Sequence, residues 1–232
     1  RDRALGMYGS NSKNYGDGFT NMYGANHEDI AYSYRMDNHG KGSWYSINGN
    51  IDYQRTSRKN KQRMITFSYK INTQPQTSNS YNTYKDIYPE DEMEELVKRL
   101  LLRNYHSDGK TNTMEQTFQV DYTTPIGKLH TIEAGAKYIF RRNTSDNKLY
   151  EASGGSEDYL YNEDRSSDYR HLNHILAAYL GYTLKYKDFT FKPGMRYEQT
   201  IQRVKYIVGP GENFHTNFSD LVPVSYTHLT LP

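Results

Sequence analysis

The amino-acid sequence predicts an all-β protein, an antiparallel up-and-down sheet that forms part of a transmembrane β-barrel with about nine or ten strands. Three observations predict this class. The chain is polar yet rich in aromatic residues, long segments alternate apolar with polar side chains, and short turns alternate with long polar connections. One short helix is expected in the longest of those connections, on the extracellular side.

The composition fits a sheet with one thin apolar face better than a solid core. Only 35% of the 232 residues are hydrophobic, 24 are Tyr, and the mean hydropathy is −0.98. An aromatic content of 14% is too high for a disordered chain. The absence of Cys excludes disulfides and thiolate chemistry. The 29 basic and 27 acidic residues nearly balance, so nothing favours nucleic acid as a partner.

Alternation with a period of two residues is clearest over residues 176–186 and 189–203, which we predict to form a hairpin. Further hairpins are expected within residues 45–71 and 118–140, where the same alternation recurs. The first 26 residues are poorly patterned. No apolar run is long enough for a transmembrane helix, so any membrane crossing would use strands.

Charged side chains fall on the strand face opposite the apolar one. In a solid core each would cost several kcal/mol unless it were paired, whereas a water-filled lumen accommodates them. We therefore predict that six residues face a lumen: Asp121, Glu133, Lys137, Lys192, Arg196 and Glu198.

Short turns are expected at residues 57–61, 125–128 and 187–188, and long polar connections at about residues 73–112, 149–167 and 209–219. Bacterial barrels have short periplasmic turns and longer extracellular loops. Aromatic residues gather beside the short turns, where an interfacial girdle would lie; they are Tyr53, Tyr122, Tyr186 and Phe189. The other interpretation is that aromatic residues simply favour strands.

Residues 89–103 break the β pattern and predict a helix, because apolar residues recur at helical spacing. Acidic residues begin this segment and basic residues end it, as the helix dipole favours. We expect the helix to pack the loop over the barrel mouth; the alternative is that it gates the pore or contacts a ligand. The apolar positions are Met93, Leu96, Val97, Leu100 and Leu101.

Four tyrosines in the predicted loops, Tyr81, Tyr84, Tyr159 and Tyr161, are candidates for stacking on a sugar or siderophore, and loop packing is the alternative. No Ser has an evident His and acidic partner, so we expect no enzyme activity. His171 and His174 lie three apart on a predicted strand and would point to opposite faces, so we expect no metal site there. No cofactor is indicated.

These features together resemble the barrel part of TonB-dependent receptors of the Bacteroidetes type. The resemblance rests on the Tyr-rich hairpins, the long projecting strands, and the segment Asn-Phe-Ser-Asp-Leu-Val-Pro at residues 217–223. It implies part of a barrel of about 22 strands around a plug domain, in the Gram-negative outer membrane. It also implies uptake of a scarce nutrient, with outer-membrane lipid and the TonB complex as partners.

Two alternatives remain open at this point: a passive porin or structural barrel, and a secreted soluble β-protein that binds glycans. Residues 1–223 are expected to belong to the barrel domain of a longer exported precursor. Residues 224–232 resemble translated sequencing-adapter read-through and are expected to be a non-native tail, the other interpretation being a genuine strand start.

Overall fold

A computed structural model describes residues 2–26, 28–187 and 189–229, and these residues form eight strands of one sheet. Each strand pairs antiparallel with the next along the chain. The strands are β1 (Asp2–Tyr23), β2 (Ile30–Thr56), β3 (Met64–Tyr88), β4 (Arg103–Ile126), β5 (His130–Ser153), β6 (Leu160–Tyr186), β7 (Phe189–Val208) and β8 (Phe214–Leu229). The predicted all-β up-and-down architecture is confirmed.

The sheet is open, because β1 and β8 lie at opposite ends of the strand order and do not pair with each other within the described residues. Residues 224–229 continue β8, and residues 230–232 lie outside the described part of the chain. Whether residues 224–232 are a native segment stays a prediction. In the described ranges, no helix is long and apolar enough to cross a membrane.

Eight strands replace the nine or ten expected, because the strands are longer than the apolar pattern indicates. The predicted connection at residues 73–112 contains the outer halves of β3 and β4 and shrinks to residues 89–102. The poorly patterned N-terminal residues form β1, which pairs with β2 residue by residue. Strand segments with polar residues on both faces carry no alternation of hydropathy, so the sequence pattern does not reveal them.

The predicted contrast between short and long connections is seen in the structure mainly as a difference in how far the strands project beyond the apolar residues at the two ends of the sheet. The turn at residues 57–63 is longer than the opposite connection at residues 209–213. The strands nevertheless end close to the apolar residues at one end of the sheet and continue far beyond them at the other. We call these the short end and the long end. The turn predicted at residues 187–188 joins β6 and β7 at the short end, although Asp188 lies outside the described residues.

Residues that face each other across antiparallel strands place their side chains on the same side of the sheet. One row formed in this way is apolar across seven strands: Tyr53, Phe67, Val120, Ala136, Ala178, Tyr197 and Leu221. A neighbouring row carries Ile51, Tyr69, Phe118, Tyr138 and Leu176. We call this side the apolar face and the other side the polar face.

The apolar face is exposed, as a lipid-facing surface would be. Phe67, Phe118 and Leu176 expose 49%, 47% and 51% of their surface. A soluble monomer rarely exposes a contiguous apolar patch of this size. On β5 the apolar positions run from Ile132 to Phe140, which matches the roughly 9–11 residues that a tilted strand needs to span a bilayer. The proposed girdle residues Tyr53, Tyr122, Tyr186 and Phe189 are all exposed.

A small buried core lies at the long end, around Ile87, Leu96 and Leu102. The predicted helix forms as a 3₁₀ turn (Glu90–Glu92) followed by α1 (Met93–Arg99). Leu96 is buried and packs near Tyr34 and Tyr84. Leu101, expected on the buried side, is instead 73% exposed, because the helix has ended before it and its backbone is left-handed at φ 53°.

Replacing Val120 with Arg should destabilise the protein by about 2–4 kcal/mol, because the side chain lies in the middle of the apolar face. The matched control is Gln119→Arg on the neighbouring residue, which lies on the polar face beside Asp121 and should cost less than about 1 kcal/mol. Urea titrations of the full-length protein in phospholipid vesicles measure both. Equal losses would contradict the assignment of the two faces.

Candidate functional site

The polar face carries all six charged residues that the sequence places together. Asp121 and Arg196 belong to one row across the sheet, and Lys137 and Glu198 belong to the next. Glu133 and Lys192 line one groove of about 470 Å³ near the short end. The pairing register therefore brings the six to a single face. That this face borders a water-filled lumen stays a prediction.

A hydrogen-bonded cluster around Asp121 forms the centre of the polar face. The Tyr179 hydroxyl donates to Asp121 Oδ1 at 2.5 Å, and Gln119 Nε2 donates to Oδ2 at 2.8 Å. Tyr179 lies on β6 and Asp121 on β4, so the tyrosine reaches across β5. Gly135 occupies the intervening position, and a Cβ atom there would collide with the Tyr179 ring. The glycine thus makes the cross-strand hydrogen bond possible.

Other charges on the polar face form ion pairs. Arg196 Nη2 lies 2.6 Å from Glu198 Oε2, and Arg141 Nε lies 2.5 Å from Glu115 Oε2. Towards the long end, Arg165 Nη1 lies 2.6 Å from Glu151 Oε1, and its guanidinium stacks on Tyr105 at 5.0 Å. These pairs balance positive and negative charge along the polar face. They leave hydrogen-bond donors and acceptors available to a solute.

A cleft of about 1000 Å³ lies at the rim of the long end. There the pairing of β3 with β4 stops after Asn82 and Tyr105, and the backbone at Asp86 is left-handed at φ 49°. The buried Asn104 side chain replaces the lost pairing. Its Oδ1 accepts from the Tyr84 amide at 2.7 Å, and its Nδ2 donates to the Ser156 carbonyl at 2.8 Å. Asn104 thereby ties the connection between β5 and β6 to the end of β3.

The wall of the cleft combines acidic groups with neutral phenols. Its charged lining residues are Asp37, Lys85, Asp86, Glu90 and Glu157. Asp37 is paired with Arg35 at 3.1 Å and with Lys85 at 3.5 Å.

Burial raises the pKa of the Tyr84 hydroxyl above its ordinary value, with smaller contributions from Tyr34 and Tyr105. Burial likewise raises the pKa of Tyr159, with Tyr81 and Glu157 adding to the shift. Both phenols therefore stay protonated at neutral pH and can donate hydrogen bonds.

A ladder of stacked rings crosses the long end of the sheet. Tyr81 lies between His39 at 4.7 Å and His106 at 4.1 Å between ring centroids. The stack continues from His106 to Tyr150 at 5.5 Å, and Tyr161 follows at 5.6 Å from Tyr150. Because both faces of the Tyr81 ring are covered, only its edge and hydroxyl remain for a ligand. This ladder fixes strand register beyond the apolar face.

The four tyrosines proposed as loop contacts are only partly brought together. Tyr81 and Tyr84 lie on β3 and Tyr161 on β6, so Tyr159 alone lies in a connection. Tyr81, Tyr84 and Tyr159 line the rim cleft, whereas Tyr161 does not. Tyr159 packs edge-on against Tyr81 and His106 at 6.3 Å. Tyr161 and most of the Tyr81 surface are occupied by ring contacts between strands. That any of the four tyrosines contacts a ligand stays a prediction.

Sequence reasoning missed His39, His106 and Asn104. The two histidines looked scattered because they meet only through the pairing of β2, β3 and β4, far from the apolar segments that reveal register. His171 and His174 fall on opposite faces, with His174 bonded to the Tyr138 hydroxyl at 2.7 Å. Within the described ranges, no three His, Asp or Glu side chains are grouped to hold a metal ion.

Residues 55–231, well over half of the chain, match the family described as the outer membrane protein beta-barrel family. The chain belongs to this family. Its location in the Gram-negative outer membrane follows, and the exposed apolar face is therefore the lipid-facing side of the sheet. The predicted membership of an outer-membrane barrel family is confirmed, while the Bacteroidetes type stays a prediction.

Three solved structures resemble the chain at low identity. They are the ferric citrate transporter FecA (14% identity, TM-score 0.40), the alcaligin outer-membrane receptor FauA from Bordetella pertussis (11%, 0.38), and the ferric preacinetobactin receptor BauA from Acinetobacter baumannii (10%, 0.40). The matches cover 87%, 99% and 94% of this chain but only 34%, 40% and 44% of those proteins. The chain thus spans less than half their length. The curated protein sequences contain no match.

Replacing Gly135 with Ala should cost about 1.5–3 kcal/mol, since the added Cβ displaces Tyr179 and breaks its hydrogen bond to a carboxylate. The matched control is Gly181→Ala, where the nearest atom, in Glu133, lies 3.8 Å from the new Cβ. The control should stay within about 0.5 kcal/mol of the parent. Urea unfolding in vesicles distinguishes them, and a tolerant Gly135→Ala variant would refute the proposed role of this glycine.

Replacing Tyr81 with Ser should loosen the long end locally, because two ring contacts worth about 0.5–1.5 kcal/mol each are lost. Amide hydrogen exchange in the outer parts of β3 and β4 should accelerate about tenfold or more. Tyr161→Ser at the end of the ladder serves as the control and should have a smaller effect. Unchanged exchange in the Tyr81 variant would show that the ladder does not hold the strands.

Proposed function

We propose that this chain is part of the barrel of a TonB-dependent receptor that takes up a scarce nutrient, such as a siderophore or a glycan, across the outer membrane. One observation carries the proposal: the strands continue far beyond the lipid-facing residues and end at a cleft of about 1000 Å³. A passive pore needs no such extension. A receptor needs it, because binding groups must stand outside the bilayer.

The open sheet supports a large barrel. In hydrocarbon the unpaired backbone groups of an edge strand have no water to bond, so every lipid-exposed edge must find a partner. The edges at β1 and β8 are not joined to each other in the described part of the chain. A barrel with more strands than these eight would satisfy both edges and would leave room for a plug.

The proposed sequence of events begins at the rim and continues along the polar face. A ligand would bind near Tyr84 and Tyr159, whose neutral hydroxyls donate hydrogen bonds beside the acidic groups. The register places Asp37, His39 and Tyr81 of the cleft on the apolar side of the sheet. The ligand would therefore cross the rim to the opposite face, which carries Asp121 and Arg196, after the TonB complex moves the plug. Closely spaced groups of both signs give a solute many weak contacts and no single tight one. No catalytic step is part of the proposal.

The second candidate is a passive porin. Glu133, Lys137 and Lys192 on the polar face form no ion pair among the described residues, and they favour this candidate equally, because solvent alone can stabilise them. A soluble, secreted glycan-binding protein is excluded, since the chain belongs to an outer-membrane family and exposes an apolar face.

Growth assays with the full-length protein as the sole uptake route separate the two candidates. Cells are supplied with a panel of ferric siderophores or glycans as the only iron or carbon source. For a TonB-dependent receptor, deletion of TonB abolishes growth on the ligand, because transport is coupled to energy. For a passive porin, growth persists without TonB, which would refute the proposal.

The Tyr84→Ala substitution should weaken ligand binding about tenfold, as expected when a buried aromatic contact is truncated. Tyr161→Ala is the matched control, because it is a tyrosine of the long end outside the cleft. Calorimetric titration with the ligand identified by growth measures both variants. Equal affinity of the Tyr84 variant and the parent would remove the rim cleft as the binding site.

A further inference from the structure

On the polar face, the outer part of β3 carries only neutral side chains that form hydrogen bonds. From the short end outwards they are Gln74, Gln76, Ser78, Ser80 and Asn82. Their partners on the same face are also uncharged, at alternate positions of residues 10–16 on β1, 38–44 on β2 and 105–111 on β4. We call the polar-face positions of residues 10–16, 38–44, 76–82 and 105–111 the neutral wall.

The same strands carry charge on the opposite face at the same height. Lys13, Lys41 and Asp108 belong to one row there, and Lys110 belongs to the row below. Both faces of these strand segments lie beyond the apolar residues and are reached by water, so contact with solvent does not account for the difference. The composition of the neutral wall therefore indicates a solute that it contacts.

Charged residues on the polar face border the neutral wall without entering it. Glu115 and Arg141 form an ion pair below it, and Glu151 and Arg165 form another beside Tyr105. Arg103 follows Tyr105 on this face of β4, at the rim. A solute that crosses the rim thus meets a neutral surface before it reaches the charged rows around Asp121.

Glycines leave room on the neutral wall for polar atoms of the neighbouring strands. A Cβ atom at Gly109 would lie 2.6 Å from the Ser78 hydroxyl oxygen and 2.7 Å from Asn147 Oδ1. One at Gly40 would lie 2.5 Å from Asn14 Oδ1. Hydroxyl and amide groups therefore lean over the glycine backbone, and both kinds of group can donate and accept hydrogen bonds.

Trp44, the single tryptophan of the chain, forms an aromatic platform at the lower edge of the neutral wall. It pairs edge-to-face with Tyr8, at 5.7 Å between ring centroids and 83° between ring planes. The two side chains are 42% and 54% exposed. An edge-to-face pair leaves at least one face of each ring uncovered by the other, so a flat apolar surface is available beside the hydroxyl and amide groups.

This combination matches the chemistry of an uncharged sugar. Each hydroxyl of a pyranose ring both donates and accepts hydrogen bonds, as the Ser, Thr, Asn and Gln side chains do. The C–H bonds of the same ring form an apolar patch that packs on the electron-rich face of an aromatic side chain. A ferric chelate differs, because the oxygens that hold Fe³⁺ are largely anionic and favour Arg or Lys in a binding site.

We propose that the neutral wall binds an uncharged oligosaccharide of pyranose units, with one ring stacked on Trp44 and further rings along β3 towards Tyr84. The stretch from Gln76 to Asn82 is about 20 Å long, which accommodates several rings. The inference rests on the proposed function, because uptake through the barrel is what brings a nutrient to this face. It narrows that nutrient from a siderophore or a glycan to a neutral glycan.

The first test compares ligands on the intact protein. Full-length protein in detergent is applied to an array of neutral and acidic glycans, and the strongest binders are titrated by calorimetry beside hexagalacturonate and ferric citrate. A neutral glycan should bind at least about tenfold more tightly than either of these two anions. A preference for an acidic glycan or the ferric chelate, or no binding to any neutral glycan, would overturn the proposal.

The second test removes the aromatic platform. Trp44→Ala should weaken binding of the best neutral glycan about tenfold, whereas Trp44→Phe, which keeps a ring face, should stay within about threefold of the parent. Tyr45→Ala, one residue away on the apolar face, is the matched control and should stay within about twofold. Parent affinity in Trp44→Ala, or an equal loss in Tyr45→Ala, would refute the role of Trp44.

The third test adds a charge to the neutral wall and does not depend on the folding of the Trp44 variants. Gln76→Arg should raise the affinity for hexagalacturonate about tenfold, because a guanidinium group binds a carboxylate through two hydrogen bonds. Thr77→Arg, on the opposite face of the same strand, is the control and should leave that affinity within about twofold. Equal behaviour of the two variants would show that glycans do not contact the neutral wall.

The outcomes separate this inference from the proposed function. TonB-dependent growth on a ferric chelate, with no neutral glycan bound, would count only against the neutral wall as a glycan site. Glycan binding that depends on Trp44, together with growth that persists without TonB, would count only against the proposed function.

Discussion

The constraint on which this structure depends is that hydrocarbon offers no hydrogen-bond partner to the backbone. Each strand must therefore pair continuously with its neighbours wherever it crosses the membrane. The pairing of β3 with β4 and of β4 with β5 runs without any register shift. Among the described strands, register shifts occur near residues 22, 33, 147 and 168, all towards the long end, where water can satisfy the released groups.

Continuous pairing also creates the two faces. Once the register is set, every side chain is assigned to lipid or to the opposite side, and neighbouring residues must suit opposite surroundings. Phe118 and Gln119 illustrate this, since the first is exposed among apolar rings and the second donates to Asp121. The polar face can therefore hold Asp121, Tyr179 and Gly135 in a cross-strand cluster without burying charge in a core.

Beyond the membrane the requirement changes, because water now competes for the backbone. The long end replaces the apolar face with other contacts: the ring ladder through His39, Tyr81 and His106, and the Asn104 side chain that ties the connection between β5 and β6 to β3. It also contains a small buried core around Leu96. At the long end, where water surrounds the strands, these contacts order the sheet as the bilayer does along the apolar face.

The sequence by itself determined the membrane-spanning part. Alternation identified the apolar residues of β5, β6 and β7, the short turns, and the common face of Asp121, Glu133 and Arg196. Apolar residues at helical spacing identified the helix near Leu96. Side-chain periodicity carries this information because one face is apolar and the other is not. The tertiary structure alone decided the full strand lengths, the folding of the N-terminal residues as β1, and the meeting of Tyr81 with His39 and His106. Those features depend on which residues oppose each other across strands, and polar segments leave that register unmarked in the sequence.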